Sequence, residues 1–500
     1  MFFFKAAAAV TLLAGITSAQ VAKTLCGGKN YTYDSLAGYG LVPSNARDKF
    51  GDTLGGWGSA IALDRAQWKK LPDGSYTGIL YALPDRGWNT QGTLNYQSRI
   101  HKFTIAFKPA PDATVTKPAG NNLVFTYVDS LLLFAPDGVT PTTGLDADVS
   151  GHLSYPGFPD LPAATIVGDG WGGPGPGGKR PSVDGEGLAL GANGSFWISD
   201  EYGPYAYHFD SNGKMLAAIR PNDAIIPMRN GTESFSADAA DNPTGRSNNR
   251  GFEGMAITGD GRNLYLLLQT AANQEGGLKN PSRRYVRLVK YDISVPSKPR
   301  YAREFVVPLP FVDATNSKVA GQSELFNIQD GSFFVLSRDS NAGHGAASSE
   351  SLYRHIDIIN IDTATDIKGS TYDCATCSIA SAKGVLKPGI TPAEYCPFID
   401  FNLNSQLNRF GLHNGGAQDA NLLNEKWESI GMVPVDGLIG DDDEWFVFSV
   451  SDNDFITQDG AMHFGQLPYK DPSGYNLDSQ ALVFKVKLPV HSRPFPRGGS

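Results

Sequence analysis

The sequence predicts an all-β fold, a β-propeller of six four-stranded antiparallel blades, with five and seven blades as the alternatives. The first supporting observation is a content of 57 glycines and 32 prolines in 500 residues, which suits many turns and short strands rather than long helices. The second is that short apolar runs are joined by Asn-Gly and Gly-Asp-Gly turns, whose residues tolerate positive φ and so close hairpins. The third is that one strand grammar returns five times with a drifting period, as divergent repeats do. A β-sandwich with long loops is the competing fold, because strand patterning alone does not dictate closure.

The elements run as follows. Residues 1–19 carry one lysine, an apolar run and small residues at 17–19, the pattern of a secretory signal peptide. The apolar run is too short to span a bilayer comfortably. A segment at 20–53 leads into a single domain at 54–490, and a tail covers 491–500. The first repeat unit reads as strands at 59–63, 78–83, 99–107 and 123–128. The second is the clearest: strands at 186–190 and 196–199 around Ala192-Asn193-Gly194, then 205–209 and 215–219 around Ser211-Asn212-Gly213. A third reads at 252–257, 263–268, 285–293 and 301–307. A fourth reads at 323–328, 333–336 and 355–361, with a turn at Gln329-Asp330-Gly331. The last reads at 429–433, 445–450 and 481–488. The stretches 131–183 and 365–425 have room for a further blade, and a strand from one terminus is expected to complete the blade of the other. The Gly/Pro tract at 169–181, DGWGGPGPGGKRP, reads as an irregular solvated loop, since its residues resist both helix and ladder.

Composition limits the function classes. A formal net charge of −9 without a basic block argues against nucleic acid as a partner. No stretch beyond the leader approaches a membrane span, so no membrane partner is expected. With 41% hydrophobic residues the chain has enough material for a large core of its own, and a monomer is expected. Four cysteines follow the leader, Cys26, Cys374, Cys377 and Cys396, an even number that in an oxidising compartment reads as two disulfides. The Cys374-Ala-Thr-Cys377 pair also admits a zinc knuckle or a redox motif, but neither a second CxxC nor a nearby His pair accompanies it. Asn30, Asn193 and Asn230 begin N-x-[ST] sequons and are candidate glycosylation sites.

Chemistry points to recurring carboxylates. Glu186, Glu253, Glu324 and Glu428 each stand at the head of a first strand, and in a propeller such strands line the central channel. A second acidic set follows the second strands: Asp85, Asp200 with Glu201, Asp339 and Asp452. Brought to one channel mouth, these groups would repel by several kcal/mol at an effective dielectric of ~20. Either a hard cation, most naturally Ca²⁺ with six to eight oxygen ligands, or the adjacent Arg86, Arg250 and Arg338 must offset that. The alternative is that each Asp caps its own turn and each Glu pairs locally. Neither a G-x-S-x-G elbow nor an H-E-x-x-H motif is present, and His344 is the one histidine near these groups in sequence.

The motifs D-G-E-G-L-A-L…F-W-I-S-D-E-Y-G-P from Asp184 to Pro204 and N-R-G-F-E-G-M-A-I-T-G-D-G from Asn249 to Gly261 resemble the phytase-like family, known as esterase-like activity of phytase. Thr143-Gly144-Leu145-Asp146 looks like the start of another of its signatures, and the resemblance extends over about residues 54–488. It implies a phosphoric ester hydrolase acting on a phosphate ester such as phytate or on a phosphodiester. Glu186, Glu253, Asp200 and Glu201 would then be catalytic and metal-holding, Glu324, Asp339 and Asp452 further metal ligands, and Arg250 and Arg86 the clamp on a small anionic substrate. The motif set of bacterial β-propeller phytases is missing, so the expectation stays with the broader class. Two other functions remain in view: a lactonase-like propeller hydrolase, and a non-catalytic secreted binding propeller with structural calcium.

Overall fold

The structure, a computed structural model, describes residues 20–87, 92–238, 242–329, 331–436 and 443–489. The expected leader, the turn residue Asp330 and the tail lie outside the described residues. The fold is all-β, and among the described residues no helix is long and apolar enough to cross a membrane.

Three free-standing sheets are four-stranded antiparallel meanders. One is built of Gly185–Leu190, Phe196–Asp200, Ala206–Phe209 and Met215–Ile219; another of Phe252–Ile257, Asn263–Leu268, Tyr285–Asp292 and Arg300–Pro308; the third of Gly321–Gln329, Ser332–Arg338, Arg354–Asn360 and Glu394–Asp400. The predicted hairpins are present, and at the turn between the first two strands of the Gly185 unit Asn193 and Gly194 both take positive φ, 56° and 72°.

A larger nine-stranded sheet contains two more such units. Ala60–Lys70, Tyr76–Leu83, Arg99–Phe107 and Leu123–Leu132 form one meander. The other joins the chain ends: Gly431–Pro434, Glu444–Val450 and Ser479–Lys487 are completed by the N-terminal strand Lys29–Val42, antiparallel to Ser479–Lys487 with Tyr39 opposite Leu482. Ala22–Cys26 adds an outermost strand. The expected exchange between termini is therefore present. A single parallel pairing, Gly40 with Leu123, fuses the two units into one sheet.

First strands of successive units lie against one another: Ala60–Lys70 on Gly185–Leu190, that strand on Phe252–Ile257, and that on Gly321–Gln329, while Gly431–Pro434 returns to Ala60–Lys70. The Gly321 and Gly431 units meet through the outermost strand Ala22–Cys26 on Glu394–Asp400, where Cys26 and Cys396 form a disulfide. Each strand alternates faces, so each unit is apolar on both sides and packs against two neighbours. Thus Leu83, Ile198 and Tyr207 share one core, Leu266 and Val335 another, Trp427, Phe334 and Phe484 a third, and Trp57, Leu80 and Phe448 a fourth. Each such side chain contributes roughly 1.5–3 kcal/mol by leaving water. The arrangement is consistent with a propeller.

Two expectations are modified. Among the described residues, 131–183 holds a three-stranded sheet of His152–Leu153, Leu161–Ile166 and Gly178–Pro181, and 365–425 holds the strand Glu394–Asp400 that completes the Gly321 unit together with loops and a short helix at Asn404–Leu407, rather than another four-stranded unit. The Gly/Pro tract is not wholly irregular: Gly178–Pro181 is an edge strand pairing with Leu161–Ile166. Pro181 is tolerated because an edge position leaves one side of the strand without ladder partners. The second pair of cysteines, Cys374 and Cys377, forms a disulfide of its own, and the sequon residues Asn30, Asn193 and Asn230 are all exposed.

Candidate functional site

The recurring glutamates reach one place through a recurring irregularity of the ladder. In the Gly185 unit, Gly185 pairs with Asp200 and Gly187 with Ser199, so Glu186 is an extra residue, a β-bulge. In the next unit Phe252 pairs with Leu268 and Gly254 with Leu267, which makes Glu253 the extra residue. In the chain-end unit Gly431 pairs with Phe448 and Trp427 bridges Ser451, again one residue more on the first strand, in the stretch that holds Glu428. A bulge re-aims a side chain out of the alternating pattern. It turns these glutamates from the packed faces toward one another at the heads of the first strands.

The same register explains why Glu324 does not join them. In its unit Gln322 pairs with Ser337 and Glu324 with Leu336, so the bulged residue is Ser323. The Glu324 carboxylate instead accepts from the backbone N–H groups of Leu325 at 2.7 Å and Met255 at 3.2 Å. Two other predicted members already accept hydrogen bonds from the protein. Asp200 accepts from the N–H groups of Asp184, Tyr202 and Gly203 and from the Tyr207 hydroxyl. Asp339 accepts from Ser351 Oγ and Leu352 N–H, both at 2.7 Å. Protein donors, from backbone and side chain, thus already engage the carboxylates of Glu324, Asp200 and Asp339.

The groups that do converge form two adjoining clusters. In the first, Asp184, Glu186 and Glu201 each place a carboxylate oxygen within 4.8 Å of the others, and all three are buried. Glu253 adjoins them, accepting from the Gln269 amide through Oε1. Glu253 Oε2 and Glu201 Oε1 are buried and meet no donor from any other group, and the two carboxyls lie within hydrogen-bonding reach of each other. Burial first, then the charges of Glu253 and Asp184, drive the Glu186 carboxyl well above its usual range. Burial and Glu201 do the same to Glu253, and burial with Asp184 raises Glu201 to about 7.

Arg86 is enclosed by the protein. Its guanidinium is fully buried, with Nε 3.2 Å from Asp184 Oδ2 and Nη1 3.6 Å from Asp146, and it stacks on the Tyr202 ring at 3.7 Å. It is the counter-ion of Asp184.

The second cluster is built around a cation that sequence reading missed. Lys426 Nζ stands 2.5 Å from Asp452, 2.7 Å from Asp454, and 3.5 Å from both Asp85 and Glu428. Burial alone would ease its proton off, and the four carboxylates override that, holding the ammonium well above its ordinary range. Glu428 also pairs with Arg338 at 2.5 Å. A signal was available: in N-E-K-W-E-S, a cation stands two residues before Glu428. Asp454 follows Asp452 by the same interval.

Beside these clusters lies a polar cavity of about 280 Å³. Its wall carries Arg250, Arg283, Lys318, Arg338 and Lys426 against Asp339, Glu425 and Asp454, and Ser323, the bulged residue, opens onto it. Arg250, one of the expected clamp residues, is part of this wall. His344 lies elsewhere, its backbone N–H on Leu423 and its ring edge-on to Tyr475.

Comparison with known proteins agrees with the motif reading. The model of the family Phytase-like, esterase-like activity of phytase, matches residues 53–402. An uncharacterized secreted protein of Arthroderma benhamiae is 54% identical over 464 residues, which covers 88% of this chain and 90% of the other. Among solved structures, a luciferin-regenerating enzyme aligns over 91% of this chain and 99% of its own at 10% identity with a TM-score of 0.28. The PQQ-bound aldose sugar dehydrogenase of Streptomyces coelicolor aligns over 91% and 99% at 10% identity with a TM-score of 0.25. Likenesses this low carry no weight for fold or activity.

Proposed function

The chain belongs to the phytase-like family, and on that premise we propose that it is a secreted, metal-dependent hydrolase of phosphate esters built on a five-bladed propeller. Five four-stranded units, each touching two neighbours, support that count. Secretion draws support from the leader pattern, the two disulfides and the secreted relative, and the three exposed sequons suit a glycoprotein.

The observation that carries the reading is the first carboxylate cluster beside the cation-walled cavity. The second cluster already contains its own ammonium, whereas Asp184, Glu186 and Glu201 face one another without one, with Glu253 beside them, and Glu201 Oε1 and Glu253 Oε2 are buried without a donor from any other group. That donor set, hard oxygens alone, fits Ca²⁺. Glu186, Glu201, Glu253 and Asp184 would hold the ion. Bound there, it would supply charge to a phosphoryl oxygen and acidify a water. The chain's own residues do the remainder. Arg250 and Arg338 meet a phosphate in the cavity, and Lys426 adds charge at its floor. Arg86 fixes the rotamer of Asp184 by a buried ion pair. Phytate is one candidate substrate, and the cavity commits only to a small phosphoester anion.

The test is turnover on a panel of phosphomonoesters, phosphodiesters and lactones, with calcium and with a chelator. Calcium-dependent hydrolysis of a phosphoester, abolished by Glu186→Gln with Glu253→Gln and weakened by Arg250→Ala, is expected. Lactones preferred with Arg250→Ala silent would favour the lactonase-like alternative. A silent panel in a protein that binds calcium would leave the non-catalytic binding propeller.

A further inference from the structure

We infer that Lys426 is a tethered cation standing in the place of a second metal ion, so that this channel end takes one exchangeable divalent ion rather than a pair. Asp85, Asp452 and Asp454 present carboxylate oxygens within 4.8 Å of one another, the same compactness as the first cluster. They differ in what fills the space between them. One ammonium contacts all three, together with Glu428, at 2.5 to 3.5 Å. Asp85 Oδ2 and Glu428 Oε2 are buried, accept no hydrogen bond, and have the Lys426 ammonium as an ion-pair partner.

The chain geometry holds that ammonium in place. Lys426 precedes the bulge at the head of the chain-end unit, and its carbonyl accepts from Asp452 N–H at 2.7 Å, so the backbone of the lysine is locked to the acid it neutralises. Asp454 adopts positive φ, 49°, and its N–H donates to Asp452 Oδ1 at 2.9 Å, which turns its carboxylate back onto the lysine. An ammonium offers three donors and a single charge. It can satisfy several oxygens here without the six to eight ligands a calcium ion demands.

Only the identity of the first ion's site rests on the function proposed above. The experiment is equilibrium dialysis of purified full-length protein against Ca²⁺, read by elemental analysis, for the wild type, Lys426→Arg and Lys426→Met. One ion per chain is expected for the wild type and Lys426→Arg, and two for Lys426→Met. A wild type that binds none while Lys426→Met binds one would sink the first site and sustain the role of Lys426. Equal stoichiometry in the wild type and Lys426→Met would overturn it. If Lys426→Met unfolds in chelator, recovery of its melting transition in excess calcium supports the inference, and failure to recover contradicts it.

Discussion

At the scale of single residues, the fold brings carboxylates together against their mutual repulsion. Glu201 shows the consequence for stability. Its pKa rises from the model-compound 4.5 to about 7 on folding, chiefly through burial and Asp184. The folded chain then binds more protons than the unfolded one between those values. Stability from this group is therefore complete below pH ~4.5 and is lost as pH rises through ~7, by an amount on the order of 3 kcal/mol. Chelated protein should melt at lower temperature at pH 8 than at pH 5, and calcium should reverse most of that difference, as scanning calorimetry would show; a pH-independent melting temperature in chelator would contradict it. Glu186→Gln removes one like charge, so it should raise the chelated protein's stability by roughly 1–2 kcal/mol while weakening calcium binding at least about tenfold.

At the scale of elements, a one-residue bulge decides which glutamates reach the site. Glu253→Gln should cost calcium affinity about tenfold or more, whereas Glu324→Gln, one ladder position out of register with it, should leave that affinity within about twofold, by titration calorimetry. Equal losses would refute the register explanation. Close approach of neighbouring backbones is a second requirement. A Cβ on Gly251 would come within 1.8 Å of the Glu201 carbonyl oxygen, so Gly251→Ala should destabilise by roughly 1–3 kcal/mol and shift Glu201, weakening calcium binding as well. Much of this level was legible in the sequence. Strand heads, Asn-Gly turns and the paired acids of the Gly185 unit follow from local pattern. The bulge position does not, because G-F-E-G and Q-S-E-L read alike as strings while their partners slip by one residue. A slip of one flips a side chain to the other face. For the same reason the string alone groups Glu324 with Glu186, and Lys426 gains three of its four carboxylate partners, Asp85, Asp452 and Asp454, only through the fold.

At the scale of the whole molecule, closure rests on the two ends of the chain. Lys29–Val42 completes the unit begun at Gly431, and Cys26–Cys396 spans 370 residues to tie its outer strand to the preceding unit. Cys26→Ser with Cys396→Ser should lower unfolding free energy by roughly 2–5 kcal/mol, seen as a reduced denaturant midpoint, with secondary structure by circular dichroism retained. A midpoint unchanged from the wild type would show that closure needs no bridge. The sequence anticipated an exchange between termini, yet a count of blades depended on which long insertions carry strands of their own. Composition cannot separate an insertion such as 131–183 from a divergent blade, since both are rich in turn formers; only the pairing of Gly178–Pro181 with Leu161–Ile166 assigns that stretch to a small accessory sheet.

The claim joining these scales is that the carboxylates gathered at the strand heads hold a divalent cation. Calorimetric titration of Ca²⁺ into chelator-stripped wild type and into Glu186→Gln with Glu253→Gln tests it directly. Saturable binding to the wild type, lost in the double variant while its fold is preserved, is the expected result. Absence of binding to the wild type, or binding of equal affinity to both, would contradict it.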